Sequence, residues 1–336
     1  MQPLVFEPFF RPQVWGGRRL EAYLGRAFQG DGPIGEAWML SAQSLHVSRV
    51  AEGPHAGTLL TDLWAEHCEE FAGPPGRLSV AGRPFPLLFK YLDCQELLSI
   101  QVHPDDATAR RLGAGDSGKT EAWIVLDAEP AAQIYAGLLP GTTRAGVERH
   151  LEQGTLVECL KRLHPQRGDC IFIPAGTVHA VGGGVLMAEV QQSSDATFRL
   201  FDWNRLGQDG RPRELHIEQS LAAIDWAAPR AEPQGGKPIS GLPVGVEGTR
   251  LIDCPFFTID RFTLTTLAAW SPNPVPSVWM VIEGDAELSA GGGYRRVFRR
   301  GETVLVPRSA GATAWRRWAS QESVTLLAVP LANLIA

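Results

Sequence analysis

Arg167-Gly-Asp-Cys-Ile-Phe-Ile-Pro-Ala-Gly-Thr-Val-His179 places a glycine turn, a short apolar strand, a Pro-x-Gly turn and a histidine in that order. It reads as a β-barrel wall that delivers one imidazole to an interior site. Working outward, Ser99-Ile-Gln-Val-His103-Pro-Asp-Asp106 offers a second imidazole, and strand alternation puts Gln101 and His103 on one face. Between them, Gly118-Lys-Thr-Glu-Ala-Trp-Ile-Val-Leu126 is a further strand-like run whose Glu121 adds a carboxylate. Taken singly, a histidine or glutamate in a strand is most often hydrogen-bonded scaffold. Together, two imidazoles, a carboxylate and an amide oxygen suit zinc, and iron, manganese or cobalt would accept the same donors. The mixed set fits a catalytic site better than a closed structural one.

The same pattern recurs. Arg300-Gly-Glu-Thr-Val-Leu-Val-Pro307 repeats Arg167-Gly-Asp-Cys-Ile-Phe-Ile-Pro174, and Trp279-Met-Val-Ile-Glu-Gly284 supplies the preceding strand and turn. The chain therefore reads as mainly β, with two related barrels and a few helices around the first. His179 corresponds to Ala312 in the repeat, and no histidine follows His216, so the second barrel has no comparable metal site. The 336 residues are apportioned as an N-terminal domain over 1–227, a Pro/Gly-rich connection over 228–248 beginning near Pro229, and a C-terminal barrel over 249–336. Apolar spacing predicts helices over 58–71, over 142–163 with its apolar face interrupted near Gly154, and over 214–225.

Composition narrows the function classes. The net charge of −6 comes without a basic block, which argues against a nucleic-acid or anionic-membrane partner. No apolar run approaches the ~20 residues of a membrane span. Five cysteines without a C-x-x-C pair, and an opening Met-Gln-Pro-Leu-Val without a signal pattern, predict a reduced, cytoplasmic location. Cys170, between apolar neighbours, reads as packing and not as a nucleophile.

With these motifs in place, the chain resembles the type I mannose-6-phosphate isomerases, zinc enzymes of the cupin superfamily, in their short bacterial form. The resemblance runs through Val14-Trp-Gly-Gly17, Gly35-Glu-Ala-Trp38, Phe89-Lys-Tyr-Leu92, Leu98 to Asp106, Gly118-Lys-Thr-Glu121, Ile173 to Ala180, and Glu189-Val-Gln-Gln-Ser-Ser-Asp-Ala-Thr-Phe-Arg-Leu-Phe-Asp-Trp-Asn-Arg205. It is strongest over about residues 5–225. It implies two cupin-type (jelly-roll) barrels, and one zinc ion per chain on Gln101, His103, Glu121 and His179. It also implies Arg199, Lys119 and Glu189 as catalytic residues, and Ser99 and Lys90 as substrate-binding ones. Larger members carry a histidine and a proline around the Lys-Glu motif, where this chain has Gly118 and Thr120, so no role for that histidine transfers. The C-terminal barrel departs most from the family pattern.

The implied reaction interconverts mannose 6-phosphate and fructose 6-phosphate through a cis-enediol, with a sugar phosphate as the small-molecule partner. Glu189, Lys119 and a metal-bound water or hydroxide are alternative bases. Arg199 alone would read as an ion pair with Asp195 or Asp202. Two competing functions use the same site: an iron-dependent cupin oxygenase, and a sugar-phosphate-binding protein without turnover. Oligomeric state is not legible in these motifs.

Overall fold

The computed structural model describes residues 1–72, 84–207, 209–228, 230–272, 274–318 and 321–331; Pro229 of the connection and residues 332–336 of the C-terminal barrel lie outside them. Two antiparallel sheets form the N-terminal unit. The larger orders its strands Phe9–Gly17, Ile34–Leu40, Leu87–Cys94, Val185–Gln192, Glu121–Ala128, Cys170–Ile173. The smaller orders Phe198–Phe201, Ile100–Val102, His179–Val181, Ile134–Leu138, Leu160–Leu163.

The second unit repeats this layout. Its larger sheet runs Lys237–Pro238, Val246–Asp253, Thr258–Leu264, Val324–Pro330, Ser277–Glu283, Thr303–Val306, and three strands, Arg295–Phe298, Ala286–Ser289 and Ala314–Arg317, face it. Cys170–Ile173 and Thr303–Val306 are the strands of the two repeated segments, and each closes its own six-stranded sheet. The fold is mainly β, built from two jelly-roll units, as the repeat predicts.

The central strand Leu87–Cys94 is buried at every position because both of its faces are covered. Leu87, Phe89 and Tyr91 share one apolar core with Leu251, Ile259, Met280 and Leu327 of the second unit. The alternate residues, Leu88, Lys90 and Leu92, turn into the first barrel. The neighbouring strands obey the same parity. Ala122, Ile124, Ala188 and Val190 join the shared core, whereas Trp123 and Met187 belong to the barrel interior.

Gln234 N–H donates to the Cys170 carbonyl at 2.7 Å, and Lys237–Pro238 pairs with Thr249 and Arg250. At the other end of the chain, Leu4 pairs with Leu305 of the second barrel. Among the described residues, no helix is long and apolar enough to cross a membrane.

Three helix expectations need correction. The apolar stripe over 142–163 belongs to three elements: helix Arg144–Gln153, the 3₁₀ turn Leu156–Cys159 and strand Leu160–Leu163. The interruption read near Gly154 is where the helix ends: at φ 69°, Gly154 lies in the left-handed region that glycine enters without steric cost. Residues 58–71 hold two short helices, Leu60–Glu66 and Cys68–Ala72. The helix near 214–225 spans only Ile217–Ala223, because the chain just before it lies beside Arg199, with His216 N–H donating to the Arg199 carbonyl at 2.8 Å.

The second barrel is filled with aromatic rings. Trp315 is fully buried, with ring centroids 5.4 Å from Trp279 and 5.7 Å from Phe298. Trp315→Ala is expected to lower the unfolding free energy by about 3–5 kcal/mol in urea titrations, while Trp318→Ala, at a 38% exposed ring, stays within about 0.5 kcal/mol.

Candidate active site

Strand register assembles the site from two facing rows. On the larger sheet, Trp38 pairs with Lys90, Lys90 with Glu189, and Glu189 with Trp123. On the smaller sheet, Gln101 lies between Arg199 and His179. The rows enclose a cavity of about 360 Å³ lined by residues of both, including Ser99, Lys119 and Glu121.

His103, Glu121 and His179 are buried with one donor atom each within 4.8 Å of the others, and such a trio can hold a metal ion. Local turns aim them. The His103 carbonyl accepts from Gly176 N–H at 2.8 Å, tying the turn before His179 to the end of the Gln101 strand. His103 Nδ1 lies 2.8 Å from the Ala196 carbonyl and His179 Nδ1 lies 2.9 Å from the Thr177 carbonyl. Each Nδ1 therefore carries the proton, which leaves the Nε2 lone pairs, 3.5 and 3.4 Å from the Glu121 oxygens, directed at the centre of the trio.

Burial, reinforced by the Lys119 charge, lowers the His103 pKa to about 4, and burial lowers that of His179. Both rings are neutral donors at physiological pH. Burial alone would raise Glu121, but the Lys119 ammonium, 2.7 Å away, holds it well below the usual carboxylate range. Glu121 Oε2 accepts no well-aligned hydrogen bond. Two neutral imidazoles and an anionic carboxylate suit a divalent cation chemically. Gln101 adjoins the trio, its Nε2 3.2 Å from His179 Nε2 and its Oε1 3.1 Å from Ser99 Oγ. A half-turn of the amide brings the oxygen to the histidine side.

Lys119 enters this centre because of the residue before it. A Cβ on Gly118 would lie 2.5 Å from Asp106 N, so only glycine fits against the start of helix Asp106–Leu112. Lys119 N–H then donates to the Pro104 carbonyl at 3.0 Å, and its side chain is buried.

Lys90, a cation in an apolar strand, has the pocket partners its sequence position demands: Glu36 at 3.5 Å and Glu189 at 3.4 Å. Glu189 accepts from Trp123 Nε1 at 3.2 Å and stands 4.0 Å from Lys119. Burial outweighs both lysines and pushes its pKa up to about 7. Arg199 donates from Nε to Ser99 Oγ at 3.3 Å and from Nη1 to the Glu214 carbonyl at 3.0 Å. The bland ion-pair reading of Arg199 does not hold: Asp202 is engaged by Arg205 and Arg213, and Asp195 lies 3.7 Å from Arg11. Cys170 is buried and its thiol is pushed up to about 12 by that burial, which fits packing and not nucleophilic use.

Sequence reasoning missed Glu36, Arg11 and Arg213. Glu36 sits in the quoted Gly35-Glu-Ala-Trp38 and shares a strand face with Trp38, whose Nε1 donates to it at 2.6 Å, so period-two alternation was a usable signal. Arg11 and Arg213 reach the cavity from segments with no pattern of their own.

Comparison with known proteins agrees with the geometry. Residues 5–122 match the family model described as phosphomannose isomerase type I, catalytic domain. The chain is 35% identical over 311 residues to mannose-6-phosphate isomerase ManA of Bacillus subtilis (strain 168), covering 92% of this chain and 94% of that one. It is 32% identical to the mannose-6-phosphate isomerase of Streptococcus mutans, with 92% and 93% covered. A crystal structure of the mannose 6-phosphate isomerase from Bacillus subtilis superposes with a TM-score of 0.87 at 29% identity, over 98% of this chain and 99% of that one. With its paired barrels and its buried His103, Glu121 and His179 facing the Lys90–Glu189 row, the chain belongs to the type I phosphomannose isomerase family.

Proposed function

We propose that the protein interconverts mannose 6-phosphate and fructose 6-phosphate through a cis-enediol, with one zinc ion held by Gln101, His103, Glu121 and His179. The observation that carries this reading is a buried trio of metal-type donors, two of which, Glu121 and His179, line the same cavity as a glutamate whose pKa is near neutral. The family named above supplies the substrate pair. A divalent ion at these donors supplies Lewis-acid polarisation of the substrate's C1 and C2 oxygens.

The side chains do the rest. Glu189 takes the proton from C2, the C–H electron pair becomes the C1–C2 double bond, and the carbonyl pair moves onto O1, which is protonated. Return of the proton from Glu189 to C1, with loss of the O2 proton, gives the ketose. A carboxyl group near pKa 7 is suited to both halves because it accepts and returns a proton at small cost. Lys90 and Trp123 hold Glu189 in place. Lys119, whose pKa is raised because Glu121 and Glu189 outweigh its burial, stays cationic and donates toward developing oxygen charge. Ser99 and Arg199 bind the sugar phosphate, and the buried location excludes water from the enediol. The domain division at 228–248 assigns catalysis to the first barrel and a packing role to the second.

Fructose 6-phosphate formation from mannose 6-phosphate tests this directly. Turnover is expected to vanish on chelation and to return with about one equivalent of zinc, and His103→Ala is expected to lose more than the ~10–100-fold typical of outer-shell changes. A folded, fully metal-loaded protein without turnover would remove the proposed substrate.

The pH profile gives a second test. As Glu189 ionises, kcat/KM is expected to rise with an inflection at about 7, or lower when a cation is bound nearby. Glu189→Gln is expected to abolish that limb and to cost about 10²–10⁴-fold in kcat.

A further inference from the structure

Charge compensation divides the cavity into two ends. At the metal-type end every cation already faces a carboxylate. Lys90 lies between Glu36 and Glu189, Lys119 touches Glu121 at 2.7 Å, and Arg11 stands 3.8 Å from Glu36 and 3.7 Å from Asp195. At the other end, Arg205 and Arg213 share the buried carboxylate of Asp202, and Arg199 has no carboxylate partner among the described residues. The Glu214 carboxylate nearby is largely exposed, 3.8 Å from His216 Nε2. This end carries an uncompensated positive charge.

Arg213 gets there through chain pairing. The segment around His216 runs beside Arg199, with His216 N–H donating to the Arg199 carbonyl and Arg199 N–H donating to His216 Nδ1. Leu206 and Pro212 pair to close the loop behind it. Asp202 then grips one edge of the Arg213 guanidinium, accepting from Nε at 2.7 Å and from Nη2 at 2.6 Å. Among the described residues, Arg213 Nη1 and Arg199 Nη2 donate to no protein group, and both residues line the cavity. Arg205, by contrast, spends its donors on Asp202 and the Leu97 carbonyl. Burial lowers the Arg199 pKa, and the Arg213 charge is the next cause, so the two guanidinium groups lie close enough to repel. An anion between them relieves that repulsion.

Resting on the isomerase reading above, we propose that Arg213 is the phosphate-binding residue that works beside Arg199, and that Asp202 positions it. The phosphate dianion enters between the free guanidinium edges, and the Arg199 Nε bond to Ser99 Oγ ties the phosphate end to the strand that carries Gln101. Arginine suits this position because its planar fork serves Asp202 on one edge and phosphate on the other, which a lysine cannot do.

The test compares Arg213→Gln and Arg213→Lys with the wild type, measuring KM and kcat for mannose 6-phosphate and the inhibition constant of inorganic phosphate at fixed ionic strength. Arg213→Gln is expected to raise KM and the phosphate constant together by roughly 10–100-fold, with the loss falling on KM and not on kcat. Arg213→Lys is expected to recover part of both. Unchanged KM and phosphate inhibition in either folded variant overturns the proposal, as does a lowered Tm with KM unchanged, the mark of a purely structural Arg213–Asp202 pair. Should Arg213→Gln fail to fold, the lysine variant decides, because loss of the fork alone must raise both constants. If the wild type shows no turnover, the isomerase reading fails, whereas calorimetric phosphate binding that is weakened in the variants still supports an anion site.

Discussion

Everything in the first barrel depends on a sheet buried on both faces. Because side chains alternate across a strand, Leu87, Phe89 and Tyr91 can build the core shared with the second unit only if Lys90 turns inward. The same parity sends Ala122 and Ile124 outward with Glu121 and Trp123 inward, and Ala188 and Val190 outward with Glu189 inward. A slip of one residue in any of these strands would drive a charge into the apolar core between the units. Register is therefore enforced from outside the site, by hydrophobic burial that has nothing to do with chemistry.

That enforcement makes the charged interior tolerable. Glu36, Glu121, Glu189, Lys90 and Lys119 are all nearly inaccessible to water, and each would be costly alone. They form a chain in which each lysine lies between carboxylates; Trp38 donates to Glu36 at one end and Trp123 to Glu189 in the middle. The network leaves two oxygens without an aligned donor, Glu121 Oε2 and Glu189 Oε2. These sit on the two carboxylates to which the reaction assigns the metal and the proton, so incomplete satisfaction coincides with proposed function.

The second barrel shows the same architecture with another interior. Its hairpin repeats the Arg-Gly-acid-strand-Pro pattern, yet Trp270, Trp279, Trp315, Phe262 and Phe298 occupy the space that the first barrel gives to charges and a cavity. Its six-stranded sheet covers the outer face of the first, which is how a barrel with no metal-type donor cluster among the described residues bears on the site. Arg300 adds to the junction, donating to the carbonyls of Ala22 and Tyr23.

The sequence by itself determined which residues are the metal-type donors and which strands carry them. The Pro-x-Gly turn before His179, the alternation through Gln101 and His103, and the internal repeat are local features written in consecutive residues, so the β architecture and the metal-type donors were legible. Helix boundaries over 142–163 were not, because a Leu-rich stripe has the same appearance whether Leu160 and Leu163 close a helix or begin an edge strand. Only the tertiary structure decided how charge is distributed around the cavity. Glu36, Arg11 and Arg213 come from three distant segments, and their effect lies in their distances to Lys90, Asp195, Asp202 and Arg199. Electrostatic compensation depends on separation in space and on burial, and neither quantity exists until the strands have paired.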